Sequence, residues 1–161
     1  MHANLRATLF AYPAPMPKPD HDYCTCEGLR RLTRRMTAVY DRHLAEAGLT
    51  VGQYSLLVNI GAEPLPLSRL ARRTATDRTT LTRTLAPLRK AGWITVAPGE
   101  DARTRLVTLT PAGRHKADAT LAVWRRAQDQ IAEALSPKLT DALHGMIDDA
   151  LKRLRPFVAN N

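Results

Sequence analysis

The chain has 161 residues, of which 44% are apolar, enough for one domain with an appended element and a core of its own. Its 24 Lys and Arg against 15 Asp and Glu give a net charge of +9, which points to an anionic partner. The two cysteines, Cys24 and Cys26, exclude a secreted disulfide framework, and no apolar run approaches the length of a membrane span.

Residues 1–22 read as a disordered or extended tail. Pro13, Pro15, Pro17 and Pro19 alternate with other residues, which forbids helix. This start lacks a charged segment followed by a continuous apolar one, so no signal peptide is expected and the expected location is the cytoplasm. From Cys24 to Ala47 the spacing of Leu29, Leu32, Met36, Val39 and Tyr40 predicts a helix, with Arg30, Arg31, Arg34 and Arg35 on other faces. Gly48 closes it. Thr50 caps a second helix to about Ala62, with Tyr54, Leu57 and Val58 inward, until Pro64 and Pro66 stop it. A short helix follows over Leu67–Arg73, with Leu70 and Ala71 inward.

The next helix is the most informative. Thr76 or Asp77 can cap its start, and Leu81, Leu85 and Leu88 form one apolar stripe. At 100° per residue, Thr76, Thr79, Arg83 and Lys90 point away from that stripe, with Thr80 at the edge of the same face. Arg78 lies nearer the flank, placed to pack, to pair or to meet DNA. Pro87 removes a backbone bond inside the helix and predicts a kink or a weakened last turn; Gly92 ends the helix.

Trp93–Ala97 and Arg105–Leu109 read as two strands joined by the turn chemistry of Pro98-Gly99-Glu100-Asp101. Arg103 sits at the tip of this hairpin, placed to enter a minor groove or to pair with Asp101. Two long helices complete the chain. The first runs from about Pro111 to Ala134, with Leu121, Trp124, Gln128, Ile131 and Leu135 in register. The second has Ser136 as N-cap, Pro137 at its first position and a stripe of Leu139, Leu143, Ile147, Ala150, Leu151 and Leu154.

Charge follows this organisation. Residues 67–114 hold ten basic and three acidic residues, whereas residues 1–66 and 115–161 each hold seven basic and six acidic. Nearly all the excess therefore sits in the stretch that contains the hydroxyl-rich helix and the hairpin. The order helix, helix, short helix, cationic helix, hairpin predicts a mainly α fold with a small β-hairpin wing. Its parts are a winged helix-turn-helix DNA-binding lobe over 49–110 and a helical dimerisation region over 23–48 and 111–158. The predicted DNA contacts are Thr76, Arg78, Thr79, Thr80, Arg83, Lys90, Arg103 and Arg105, with Arg72 and Arg73 within reach of phosphate. The apolar stripes of the outer helices would be exposed in a monomer, so a homodimer is expected, with two recognition helices about 34–36 Å apart on a pseudo-palindromic operator.

These residues carry a family resemblance. Leu49-Thr50-Val51-Gly52-Gln53-Tyr54, Leu67-Ser68-Arg69-Leu70-Ala71, Thr82-Arg83 with Leu85 and Leu88, Gly92-Trp93-Ile94, and Asp101-Ala102-Arg103 through Leu109-Thr110-Pro111-Ala112-Gly113 resemble the MarR family over about residues 24–155. The resemblance implies an obligate homodimer, usually a repressor, whose DNA affinity is altered by a small ligand or by oxidation. Many relatives carry two adjacent arginines after the wing Asp; here the first is Ala102. Cys26 also resembles the peroxide-sensing cysteine of the organic-hydroperoxide regulators in the family, and Tyr40 matches a tyrosine that assists it across the dimer. A second tyrosine of that branch is replaced by Arg30.

The signal has several readings. A cysteine near a helix N-terminus, with Arg30 within one turn, is placed to react as thiolate. Residues two apart point about 200° apart on a helix, so Cys24 and Cys26 do not pair within a regular one. Oxidation would give a sulfenic acid, an intersubunit disulfide or a disulfide after local unwinding. His21-x-x-Cys24-x-Cys26 is rich in metal ligands but is not a standard zinc pattern, and two inert thiols are the plain structural reading. Without cysteine chemistry, a small aromatic acid or phenol between the dimer helices and the lobe is the alternative effector, with Arg34 or Arg35 meeting a carboxylate. No nucleotide-binding glycine loop, H-E-x-x-H or nucleophile–base pair is present, so neither an enzyme nor a resident cofactor is expected. A metal-responsive regulator and a winged-helix protein-interaction module without DNA binding remain the alternatives.

Overall fold

The computed structural model of the protein describes residues 24–61, 63–101 and 104–158. The chain divides after Arg34 into two units. Helix α1 (Thr25–Leu44) begins in the first and ends in the second. In the first, the Cys24 carbonyl accepts the N–H of Gly28 (3.1 Å) and so starts the helix; Leu29 is 52% exposed.

In the second unit α1 ends in a 3₁₀ turn over Ala45–Ala47, and Gly48 takes the left-handed conformation (φ 63°) that lets the chain turn back. Helix α2 (Val51–Ile60) starts on a reciprocal cap. The Thr50 hydroxyl accepts from Gln53 N–H (3.2 Å) and Gln53 Oε1 accepts from Thr50 N–H (2.9 Å). Asp41 adds a third tie, its carboxylate accepting from Val51 N–H (2.6 Å). The helix stops at Ile60, two residues earlier than the sequence suggests, and Val58 is 52% exposed rather than inward, while Leu56 is buried.

A two-residue strand β1 (Leu65–Pro66) follows where the prolines predicted only a break. It pairs antiparallel with β3 (Arg105–Leu109), which pairs antiparallel with β2 (Ile94–Pro98), giving the order β1-β3-β2. Pro66 is tolerated because it lies on an edge strand, where its missing N–H costs no ladder bond. Between β1 and the hairpin lie α3 (Leu67–Arg73) and α4 (Arg78–Lys90). The turn joining them places Ala75 at φ 47° and returns the Thr76 N–H to the Ala71 carbonyl (2.9 Å). Asp77 is the N-cap of α4, its carboxylate accepting from Thr80 N–H (2.9 Å). The helix runs through Pro87 to Lys90; Pro87 has no N–H to offer the Arg83 carbonyl, and Ala91 N–H reaches the Pro87 carbonyl (2.9 Å). Gly92 at φ 75° then closes the helix, with Gly92 N–H on the Arg89 carbonyl (3.0 Å) and Trp93 N–H on the Leu88 carbonyl (3.0 Å).

The core is gathered from all these elements: Leu57 and Ile60 of α2, Leu70 of α3, Leu81, Leu85 and Leu88 of α4, Ile94 and Val107 of the hairpin, with Leu44 from α1. Helix α5 (Pro111–Leu135) leaves the sheet on a Thr110 cap, whose hydroxyl accepts from Gly113 N–H (3.0 Å) and donates to the Gly92 carbonyl (2.7 Å). A Cβ at Gly113 would collide with the Trp93 peptide, whose carbonyl carbon would lie 2.8 Å away. Only glycine lets α5 start this close to β2. Its buried face continues through Ala117, Thr120, Ala127 and Ile131. Ser136 starts helix α6 (Pro137–Val158) through its carbonyl, which accepts from Thr140 N–H (3.0 Å). Among the described residues no helix is long and apolar enough to cross a membrane.

Candidate nucleic-acid interface

Helix α4 carries three faces. Leu81, Leu85 and Leu88 hold it to the core. A second stripe, Thr79, Arg83 and Lys90, is exposed and contains no acid. A third, Arg78, Thr82, Ala86 and Arg89, is also exposed and lies about 100° from the second, on the side of the wing. The Asp77 carboxylate accepts from the Thr80 hydroxyl and N–H, and this bonding lowers its pKa below the usual carboxylate value. Its charge is therefore committed to the helix start, where it satisfies amides that would otherwise lack a partner.

The predicted contact residues divide accordingly. Thr79, Arg83 and Lys90 share the outward stripe, and half-buried Thr80 borders it. Thr76 is not in the helix. It precedes the cap, half-buried, with its hydroxyl donating to the Thr74 carbonyl (3.0 Å). Arg78 and Arg105 face a recess between α4 and the hairpin. Arg105 is exposed and paired across the hairpin with Pro98. Arg103 and Ala102 lie outside the described residues; the turn that carries them is closed by Gly99 N–H on the Thr104 carbonyl (2.8 Å) and Thr104 N–H on the Asp101 carbonyl (2.8 Å). Of the two arginines ending α3, Arg73 is committed to the Asn59 carbonyl (3.1 Å) and Arg72 is exposed. Arg89 was not among the predicted contacts. The signal that finds it is its spacing of seven from Thr82 and eleven from Arg78, which puts all three on one stripe.

The predicted sensing residues fall in two places along the chain, Cys24 and Cys26 in the first unit and Tyr40 in the second. Cys24 and Cys26 are free and exposed at the start of α1. Cys26, Leu29, Arg30, Thr33 and Arg34 line one open depression of about 430 Å³, so Arg34 belongs with the cysteine. Among the described residues no group of three or more His, Cys, Asp or Glu is placed to hold a metal ion, and His21 lies outside them. The second place is a cleft of about 480 Å³ among α1, α2 and α5, lined by Tyr40, Val51, Tyr54, Ser55, Val58, Leu121 and Trp124. Val58 is exposed because it faces this cleft. The Tyr54 and Trp124 rings are 6.3 Å apart and tilted by 35°. The Tyr40 hydroxyl donates to Gln128 Oε1, and burial raises its pKa, which holds the phenol protonated. Tyr40, which the sequence pairs with Cys26, thus lines the aromatic cleft, and no residue of this lining is cationic.

The family model for MarR matches residues 47–104. The M. tuberculosis transcriptional regulator MosR, solved in complex with DNA, is 33% identical over 80% of this chain and 96% of its own, with a TM-score of 0.69. A probable transcriptional regulator from Pseudomonas aeruginosa is 32% identical over 80% of this chain and 98% of its own, with a TM-score of 0.71. E. coli MarR without ligand, at 20% identity over 80% of this chain and 98% of its own, shares the fold with a TM-score of 0.65. No curated protein matches the chain significantly in sequence. The chain belongs to the MarR family of winged-helix transcription regulators, which are not enzymes.

Proposed function

We propose that the protein is a cytoplasmic, homodimeric, sequence-specific DNA-binding repressor. Residues 49–110 form its DNA-binding lobe, and 23–48 with 111–158 its dimerisation region. The observation that carries this is the exposed, acid-free stripe of Thr79, Arg83 and Lys90 on a helix whose opposite face is buried. Such a helix enters the major groove with Arg83 at the base edges or a phosphate, while Thr76 and Thr80 meet the backbone near its start. Arg78 and Arg105 add phosphate contacts, and Arg103 at the wing tip reaches the adjacent minor groove. The DNA complex of the 33% identical MosR supports the same partner for this chain. Helix α6 supports the dimer, with Met146, Leu151, Leu154 and Phe157 between 58 and 82% exposed. In a duplex-binding titration, Arg83→Ala is expected to weaken affinity about tenfold or more with the dimer intact. An unchanged affinity, or a wild-type salt slope near zero, removes the DNA reading and leaves the protein-interaction module.

For the signal, the aromatic cleft supports a small aromatic effector. Its lining favours a neutral ring or phenol over the carboxylate that the sequence assigned to Arg34 or Arg35. The exposed Cys26 with Arg30 and Arg34 supports the second reading, in which an organic hydroperoxide oxidises the thiolate to a sulfenic acid and is itself reduced to the alcohol. DNA binding of wild type, Cys26→Ser and Cys24→Ser with and without organic hydroperoxide separates them. Release of wild type but not of Cys26→Ser establishes the thiol; release of none removes redox sensing and leaves the cleft, which a panel of phenols then tests against Trp124→Ala.

A further inference from the structure

Helix α1 ends against α5 in a row of side-chain contacts. The Tyr40 hydroxyl donates to Gln128 Oε1, His43 Nε2 lies 2.7 Å from Gln130 Oε1, and Arg126 pairs with Glu46. These contacts make the end of α1 and the second half of α5 one frame. Helix α2 is held to that frame differently. Among the described residues, the only side-chain hydrogen bond from α1 or α5 to α2 is that of Asp41, whose carboxylate accepts from Val51 N–H at 2.6 Å. The bond is short and half-buried, and it sits at the amino end of a helix, where free amides and the helix dipole favour a carboxylate. It is not needed to start the helix, because Thr50 and Gln53 already cap each other there.

Tyr40 and Asp41 are neighbours in the chain, so one turn of α1 holds both other walls of the aromatic cleft. Tyr40 holds α5, and Asp41 holds α2. Val51 belongs to both features: its amide is tied to Asp41, and the residue lines the cleft. Helix α2 in turn packs on α4, with Leu57 and Ile60 in one core with Leu81, Leu85 and Leu88. We propose that Asp41 is a positioning residue that holds α2, and α4 with it, in the arrangement that binds DNA, and that an aromatic effector releases DNA by opening the cleft against this bond. This rests on the DNA-binding and aromatic-effector readings above and names the residue that couples them. A ligand shifts an equilibrium only by its difference in affinity for the two states. With the bond made, the first turn of α2 is held against α1 and the cleft is narrow. With the bond broken, α2 is free to move away and the cleft widens. An effector that fills the wider cleft binds the second state better, whereas DNA, which meets α4, binds the first. The two ligands therefore oppose each other.

The experiment uses the full-length chain, phenol as the effector probe and a duplex selected by the wild type from a randomised pool, with both affinities measured for wild type, Asp41→Ala, Asp41→Asn and Arg126→Gln. In a two-state equilibrium the ratio of phenol affinity to DNA affinity scales with the ratio of open to closed protein, so it moves by the whole factor that a substitution introduces. Asp41→Ala is expected to raise this ratio about tenfold, the size of one lost charge-assisted hydrogen bond, with phenol affinity no lower than in wild type. Asp41→Asn keeps an oxygen for the Val51 amide and is expected to fall between the two. Arg126→Gln breaks a contact inside the frame and is expected to leave the ratio unchanged. A general loss of stability lowers both affinities together and leaves the ratio in place, so an Asp41→Ala ratio at the wild-type value overturns the proposal. An Asp41→Asn ratio equal to that of Asp41→Ala, or an Arg126→Gln ratio raised as far, also overturns it, because the effect then does not come from the bond to α2. A wild type that binds the duplex but shows no saturable binding of phenol fails the aromatic-effector reading, and the coupling falls with it. A wild type with no salt-dependent binding to any duplex fails the DNA reading, a different result from any of these.

Discussion

Leu81, Leu85 and Leu88 of α4 are between 0 and 4% exposed, whereas Leu139, Leu151 and Leu154 of α6 are between 45 and 65% exposed. Both helices present leucines at helical spacing with polar residues between them. In the lobe the chain supplies every surface needed to cover that stripe. On α6 it does not, and Met146, Ile147 and Phe157 extend the uncovered apolar face. The charge distribution runs the other way: the lobe that completes its own core carries the basic excess, and the region that leaves apolar surface open is nearly neutral. On the function proposed above, one half meets a polyanion and the other a second copy.

The sharpest way to break this comparison is on α6. Leu151→Lys together with Leu154→Lys is expected to give a folded monomer by sedimentation velocity, with DNA affinity lowered by about 10²–10⁴-fold through the loss of two-site binding. A dimer of unchanged affinity would mean that this face is not the interface. The next largest effect is expected at the joint where α5 leaves the lobe. Gly113→Ala drives a methyl group into the Trp93 peptide, and the strain should cost at least about 2 kcal/mol. In a thermal melt that is a fall in Tm of at least about 5 °C. A Tm at the wild-type value would show that α5 can start farther from β2 than the structure places it. The smallest effect concerns the start of α4. The pKa of Asp77 is lowered in the folded state by hydrogen bonds from Thr80, so its contribution to stability is present above the unfolded carboxylate value and is lost as pH falls through the folded one. Asn keeps the cap without the charge. Wild type should therefore melt above Asp77→Asn at neutral pH, and the gap should close below about pH 4. A gap independent of pH would mean that the charge contributes nothing there.

Much of the lobe was legible in the residues, because its signals are local. Thr50, Asp77, Gly92 and Pro137 mark helix ends through backbone geometry and capping, which act over three or four residues. The outward stripe of Thr79, Arg83 and Lys90 follows from helical period alone. The errors came where that period met unknown surroundings. Val58 shares the spacing of core residues, yet it faces a cleft whose other wall comes from α5. Leu65–Pro66 is too short to show any period, and its strand character exists only because β3 lies beside it. At Pro87 the expected loss of one backbone bond stands, and the helix still runs on to Lys90, with leucines of α4 buried on both sides of the proline.

The sequence by itself determined which segments are helices, where the positive charge concentrates, and which face of α4 is free of acids, since each depends on residues close along the chain. Only the tertiary structure decided that Gly113 must be glycine, that Arg78, Arg89 and Arg105 share one recess, and that Tyr54 and Trp124 face one cleft. Those pairings join residues far apart in sequence, and their separations are set by how the core closes rather than by any local period.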